Sequence, residues 1–159
     1  MTKAKRKVSI DSDKIHLHAI KVFKVHFEAS EEFRSRFQEV KSYTTDAALD
    51  SAFNFEEKQC RIRLYIKLTA VDEQEKPKGL EAEYGIEFHF MVENLDSFLI
   101  HEKQNQVKID GILGNTLASI SYSTARGIIL ERLQGTYFDG VVLPVIDPNH
   151  LMESEVAEG

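Results

Sequence analysis

Residues 60–70 read CRIRLYIKLTA, and residues 80–92 read LEAEYGIEFHFMV. Apolar and polar side chains alternate in both segments, and successive side chains of a β-strand point to opposite faces of a sheet. The connection from Asp72 to Gly79 contains Pro77 and is short, as expected for a hairpin loop. The two segments therefore predict a pair of antiparallel strands with one apolar face and one solvated face.

Two further strands are predicted upstream of this pair. Apolar and polar residues alternate from Ile15 to Glu28, although Lys21 falls among the apolar positions. A second run places four apolar residues at one parity: Ala47, Leu49, Phe53 and Phe55. The intervening residues 29–46 are polar and predict a loop, with a short helical turn around residues 31–36.

A long helix is predicted in the last third of the chain. Asn115 or Thr116 is suited to cap its start, and Gly135 is suited to end it after about Gln134. Its apolar residues form two stripes about 140° apart. Leu117, Ile120 and Ile128 form one stripe, and Tyr122, Ala125, Ile129 and Leu133 form the other. Because one sheet face cannot cover both, we expect the second stripe to be an oligomer interface with another copy of the chain.

The length of 159 residues predicts a single domain, which can bury roughly 70% of the surface of its unfolded chain. We expect a flexible N-terminus at residues 1–12, one domain at residues 13–152 and a flexible acidic tail at residues 153–159. At most a short second helix fits near the end, through Leu151 and Met152. The predicted fold class is α+β: a four-stranded antiparallel sheet, a long C-terminal helix and a short second helix.

Composition excludes several classes of function. The net charge of −6 argues against nucleic-acid binding, which needs clustered positive charge to neutralise phosphates. Cys60 is the one cysteine, so no disulfide can form within the chain, and its place in an alternating strand predicts a buried thiol. Neither a signal peptide nor a membrane-spanning segment is found, and we expect a cytoplasmic protein with no direct insertion into a membrane.

No motif for catalysis is found, and we expect no enzymatic activity, no catalytic residue, no cofactor and no metal. Glu81, Glu83 and Glu87 are predicted to form ion pairs with basic residues of the neighbouring strand, although a docking surface for a basic partner fits the same residues. Gly111 to Gly114 lacks the lysine and hydroxyl residue of a phosphate-binding loop. One alternative stays open, a metal or ligand site on a strand face that carries His16, His18 and His26.

Several short motifs, taken in order, resemble the SecB export-chaperone family. They are Phe27-Glu28-Ala29 at the end of the first strand, Gly85-Ile86 before Phe88, Arg126-Gly127 in the helix, and Leu143-Pro144-Val145 after it. The resemblance runs from about Ile15 to Met152 and is strongest over residues 119–148. It implies an α+β fold and a homotetramer, a dimer of dimers with the long helices between the dimers. It also implies a chaperone without enzymatic activity, which holds unfolded preproteins in apolar grooves and passes them to the motor SecA.

The resemblance also suggests where partners bind. Glu28 and Glu81 match acidic positions of the motor-docking face. We expect a client groove lined by apolar residues in or beside irregular segments: Leu49, Phe53, Phe55, Phe98, Leu99, Leu151 and Met152. A SecB-like chaperone dedicated to one client, such as an antitoxin, fits the sequence as an alternative, as does a non-catalytic ligand- or metal-binding oligomer or a purely structural one.

Overall fold

The computed structural model describes residues 7–36 and 40–153. Four strands form one antiparallel sheet: β1 (Ile15–Ala29), β2 (Ser42–Asn54), β3 (Gln59–Val71) and β4 (Pro77–Val92). Their order across the sheet is β1-β4-β3-β2, so β1 and β2 are its edges. A short helix, α1 (Glu31–Ser35), lies between β1 and β2, and a long helix, α2 (Gly111–Arg132), packs on one face of the sheet. The described part of the chain ends in α3 (Pro148–Glu153), which packs against α2 and β2, and the predicted fold class is confirmed.

The predicted hairpin forms the centre of the sheet. Leu64 lies opposite Ile86, and Ile62 lies opposite Phe88, and all four side chains are buried under α2. The turn is fixed by Asp72, whose Oδ1 accepts the backbone N–H groups of residues 74 and 76. Alternation on β3 and β4 therefore predicted both the pairing and the buried face.

Strand β1 contains two bulges, which the sequence pattern did not predict. The pairing with β4 shifts between Leu17 and Ala19, and again between Val22 and Lys24. Each extra residue reverses which later side chains face the helix side of the sheet. The bulges explain why Lys21 broke the expected alternation: it lies opposite Glu87, on the charged face. The first bulge brings Val22 to the helix side, opposite Ile86.

Helix α2 begins five or six residues earlier than predicted. Asp110 caps it, because its Oδ1 accepts the backbone N–H of Ile112 at 3.0 Å. The expected cap at Asn115 or Thr116 is wrong, since Thr116 lies within the helix and donates its hydroxyl to the carbonyl of Ile112. The preceding connection is also more ordered than predicted, with a 3-10 turn followed by a small hairpin of β5 (Leu99–His101) and β6 (Val107–Ile109).

The predicted domain limits stay a prediction. Of the two ends expected to be flexible, residues 1–6 and 154–159 lie outside the described residues. Val8 and Ile10, in the described part of the first end, pack against the core.

Candidate functional site

The segment that follows α2 is bound both to this helix and to strand β2. The hydroxyl of Tyr122 donates to the carbonyl of Pro144 at 2.6 Å, and Nε of Arg126 donates to the carbonyl of Leu143 at 3.0 Å. The hydroxyl of Tyr43, on β2, donates to the carbonyl of Val142 at 2.7 Å. Hydrogen bonds therefore hold residues 141–146 between the helix and the edge strand. We call these residues the C-terminal strap.

The strap corrects the predicted oligomer interface. Tyr122, Ala125, Ile129 and Leu133 are all buried within the protomer. A second copy of the chain is therefore not needed to bury this stripe, so the predicted reason for an interface here is wrong. The outward side of α2 instead carries Ile112, Ser123 and Gly127, which are exposed.

The residues predicted to line a client groove fall into two groups. Leu49, Phe98 and Leu151 are buried in the core of the protomer, so their assignment to an open groove is wrong. The helical turn before β5 buries Phe98, and α3 buries Leu151. Phe53 and Leu99 are half-buried and Phe55 is exposed. Met152 lies in α3, but its side chain is outside the described part of the structure.

Apolar side chains keep exposed surface at two places on the β2 side of the molecule. Phe53 lies in β2 and Phe55 in the turn that follows it, and Val142 and Val145 lie in the strap, which is bound to Tyr43 near the start of β2. We call these four residues the β2-edge band. Val145 is 81% exposed and Val142 is 49% exposed. Neither valine was predicted to be exposed, because the apolar run from Val141 to Ile146, ended by Asp147-Pro148, resembles a buried segment. The strap lies on the surface because its backbone carbonyls are bound by side chains of β2 and α2.

A second apolar surface lies on the opposite edge. Three side chains on the helix side of β1 are exposed: Leu17, Ile20 and Val25. We call them the β1 strip. Large apolar side chains that cluster on the surface of a protein indicate a site of interaction.

The other face of the sheet carries a network of ion pairs. Arg63 donates to Glu87 at 2.7 Å and lies 3.7 Å from Asp50. Lys24 lies 2.7 Å from Glu83 and Lys67 lies 3.5 Å from it. These contacts confirm the predicted cross-strand ion pairs. The hydrogen bond from Arg63 lowers the pKa of Glu87, and the hydrogen bond from Lys24 lowers the pKa of Glu83.

The two acids predicted to dock a motor lie directly opposite one another, Glu28 on β1 and Glu81 on β4. Both already have basic partners in the protomer. Nε2 of His26 lies 3.3 Å from Glu28 and 3.5 Å from Glu81. Nζ of Lys67 lies 3.5 Å from the second oxygen of Glu81. Lys67 thus offsets part of the negative charge of Glu81 that a basic partner would use.

The three histidines of β1 have separate surroundings, so the structure does not bring them together as one metal site. His16, near the start of β1, contacts Glu93. His18, at the first bulge, has its ring centroid 6.3 Å from that of His89. His26 lies near the end of β1, between Glu28 and Glu81.

Cys60 is buried, as predicted, and burial raises the pKa of its thiol to about 12. A thiol that is protonated at neutral pH is a poor nucleophile. Within the described residues, no helix is long and apolar enough to cross a bilayer.

Comparison with known proteins supports the fold. No protein-family model matches the sequence, and no curated protein matches it. Among solved structures, the chain is similar to the Mycobacterium tuberculosis Rv1957 SecB-like chaperone, in complex with a ChAD peptide from the Rv1956 HigA1 antitoxin. The TM-score is 0.59 at 8% sequence identity, over 85% of this chain and 92% of that one. A protein of unknown function from Streptococcus agalactiae matches with a TM-score of 0.38, at 14% identity over 82% of this chain and 97% of that one. The protein has a SecB-like fold.

Proposed function

We propose that the protein is a SecB-like chaperone that holds a non-native polypeptide on its apolar surface. The observation that carries the proposal is the fold shared with a SecB-like chaperone that was solved in complex with a peptide. The β2-edge band is the second support, because three of its four side chains are exposed although the chain has a core of its own.

The proposed mechanism needs binding and no chemistry. A protein that binds the unfolded state of a client, and not the native state, shifts the equilibrium of the client away from folding. Contact with an apolar band requires no particular sequence beyond exposed hydrophobic side chains. Each fully buried large side chain contributes about 1.5–3 kcal/mol, so a few contacts suffice for reversible holding.

We further propose that the chaperone serves a dedicated client. The similar chaperone was solved with a peptide from an antitoxin, which supports this alternative over general export. Transfer of preproteins to SecA remains the less supported proposal, because Glu28 and Glu81 are paired with His26 and Lys67 within the protomer. The cytoplasm, where antitoxins and preproteins both occur, is the proposed compartment.

A homotetramer remains our proposal, with a different interface. The β1 strip and the outward side of α2 are the apolar surfaces left over when the β2-edge band is reserved for the client. Ser123 and Gly127 are small, so the backbone of a facing helix can approach closely there. Several client surfaces on one assembly would act together, since linked weak sites bind one long chain by avidity.

The test is suppression of the aggregation of a slowly folding client by the wild type and by two double variants. Phe55→Ser/Val145→Ser removes apolar surface from the β2-edge band and should weaken holding severalfold. Phe23→Ser/Met91→Ser is the control, because both side chains are similarly exposed but lie on the charged side of the sheet. Equal suppression by the two folded variants would contradict the proposed client surface, and no suppression by the wild type would contradict holding itself.

A further inference from the structure

Three side chains with metal-binding atoms converge where the end of β1 meets the start of β4. They are His26, Glu28 and Glu81, and one ligand atom of each lies within 4.8 Å of the other two. Among the residues that the structure describes, this is the one such group of three. The sequence could not reveal it, because Glu81 lies on a different strand and joins the other two only through the register of β1 and β4.

The register itself makes the group unusual. Glu28 and Glu81 are direct cross-strand partners, and two like charges at such a position destabilise a sheet unless a cation lies between them. His26 lies two residues before Glu28, so the pleat of the strand places both side chains on the same face. The imidazole therefore stands beside both carboxylates, as the distances of 3.3 and 3.5 Å record.

The separations between the ligand atoms suit a metal ion. Around a tetrahedral zinc ion with ligands at about 2.0–2.1 Å, neighbouring ligand atoms are about 3.3 Å apart. The two distances from Nε2 of His26, 3.3 and 3.5 Å, are close to this value. The third separation, between Glu28 and Glu81, is within 4.8 Å, and the side chain of Glu28 is 62% exposed, which gives it room to move.

Lys67 does not occupy the oxygen of Glu81 that would bind a metal ion. Its ammonium contacts Oε2 of Glu81, whereas Oε1 of the same carboxylate faces His26. It thus orients the carboxylate in the way that a second layer of hydrogen bonds orients a metal ligand. Its positive charge lowers the affinity for a cation, so we expect moderate binding.

We propose that His26, Glu28 and Glu81 bind one zinc ion per chain, with water as the fourth ligand. One imidazole nitrogen and two carboxylate oxygens favour zinc over calcium or magnesium, which prefer sets of oxygen ligands. The bound ion links the edge strand β1 to the central strand β4 and neutralises the opposed glutamates. This proposal is independent of the proposed chaperone function.

The experiment is calorimetric titration of zinc chloride into the full chain, purified without an affinity tag. We expect one ion per chain, and at least a tenfold loss of affinity in both His26→Ala and Glu81→Gln. The control is His16→Ala, which removes an equally exposed histidine of β1 that contacts a single carboxylate. It should bind as the wild type does.

Thermal unfolding provides a second readout, because a ligand that binds only the native state raises its stability. Zinc should raise the melting temperature of the wild type and of His16→Ala, and at the same concentration it should raise that of His26→Ala by less. Absence of zinc binding to the wild type at millimolar metal would overturn the site. Equal zinc affinities of the wild type and His26→Ala would also overturn the site. So would a loss of zinc affinity that occurs only when His18 or His89 is changed.

Discussion

At the scale of single residues, Gly85 shows how the charged face of the sheet accommodates an aromatic pair. The bulge in β1 directs Phe23 across Gly85, where its ring meets Tyr65 edge-on with centroids 5.7 Å apart. A Cβ atom at position 85 would lie 2.7 Å from two ring carbons of Phe23 and 3.0 Å from Cβ of Lys24. The glycine is therefore required for space, in the middle of a strand where glycine is otherwise unfavourable.

Gly85→Ala should destabilise the protein, because the added methyl group displaces the ring of Phe23 from Tyr65. We expect a loss of about 0.5–1.5 kcal/mol in the free energy of unfolding, the usual contribution of an aromatic pair. Urea denaturation measures it. In a Phe23→Ala background the same substitution should cost much less, and an equal cost in both backgrounds would mean that the ring is not the obstacle.

Glu87 gives a prediction for the dependence of stability on pH. Its pKa is lowered in the folded protein, chiefly by the hydrogen bond from Arg63. This stabilisation is fully present above the pKa of the unfolded chain, about 4.3, and is lost as the pH falls through the lower folded pKa. The free energy of unfolding of the wild type should thus fall more steeply below about pH 4 than that of Glu87→Gln. Parallel curves from urea denaturation across that range would contradict the assignment.

At the scale of elements, the C-terminal strap determines the environment of α2. The sequence predicted a helix with two apolar stripes, and both exist. The stripe of Ile129 and Leu133 was assigned to a second copy, but it is buried within one chain, where the strap, a segment with no periodicity of its own, binds the neighbouring Tyr122. Covering by such a segment depends on long-range hydrogen bonds, such as that from Tyr122 to Pro144, which sequence periodicity does not encode.

Two substitutions on α2 distinguish the buried stripe from the outward side. Ile129→Asp places a carboxylate in a fully buried site and should abolish folding, since an unpaired buried charge costs several kcal/mol. Ser123→Asp, on the exposed side, should leave the protomer folded and weaken the assembly. Circular dichroism reports folding and light scattering reports mass. If the Ile129→Asp variant folded and lost only its oligomeric state, the interface that was predicted from the sequence would be correct after all.

The same distinction explains what could be predicted of the strands. Regular alternation on β3 and β4 predicted their pairing and their buried face, because both strands are central and one helix covers them. On β1 the two bulges reversed the parity, and bulges arise from pairing with β4, not from local preference. The candidate site was harder to predict for the same reason. Val142 and Val145 are exposed on a strap whose backbone is held by hydrogen bonds from Tyr43 of β2 and Tyr122 of α2.

At the scale of the whole molecule, each protomer leaves two opposite edges apolar. The β1 strip and the β2-edge band lie on either side of a complete core. A monomer with both edges exposed would be prone to associate, because apolar surface gains free energy when it is removed from water. We therefore expect one edge to bind other copies of the chain and the other edge to bind a client.

Light scattering at micromolar concentration should give four times the 18.2 kDa mass of one chain. Ile20→Asp/Val25→Asp, in the β1 strip, should reduce this mass without unfolding the protomer, because both side chains are exposed there. A wild-type protein of monomeric mass would contradict the proposed assembly.

The central claim is that the protein distinguishes non-native from native chains. The most direct measurement is the anisotropy of one fluorescently labelled client in two forms, its native form and a reduced, alkylated form that cannot refold. We predict saturable binding of the unfolded form, tighter by at least about tenfold (about 1.4 kcal/mol) than binding of the native form. Equal affinity for both forms, or no binding of the unfolded form, would contradict the claim.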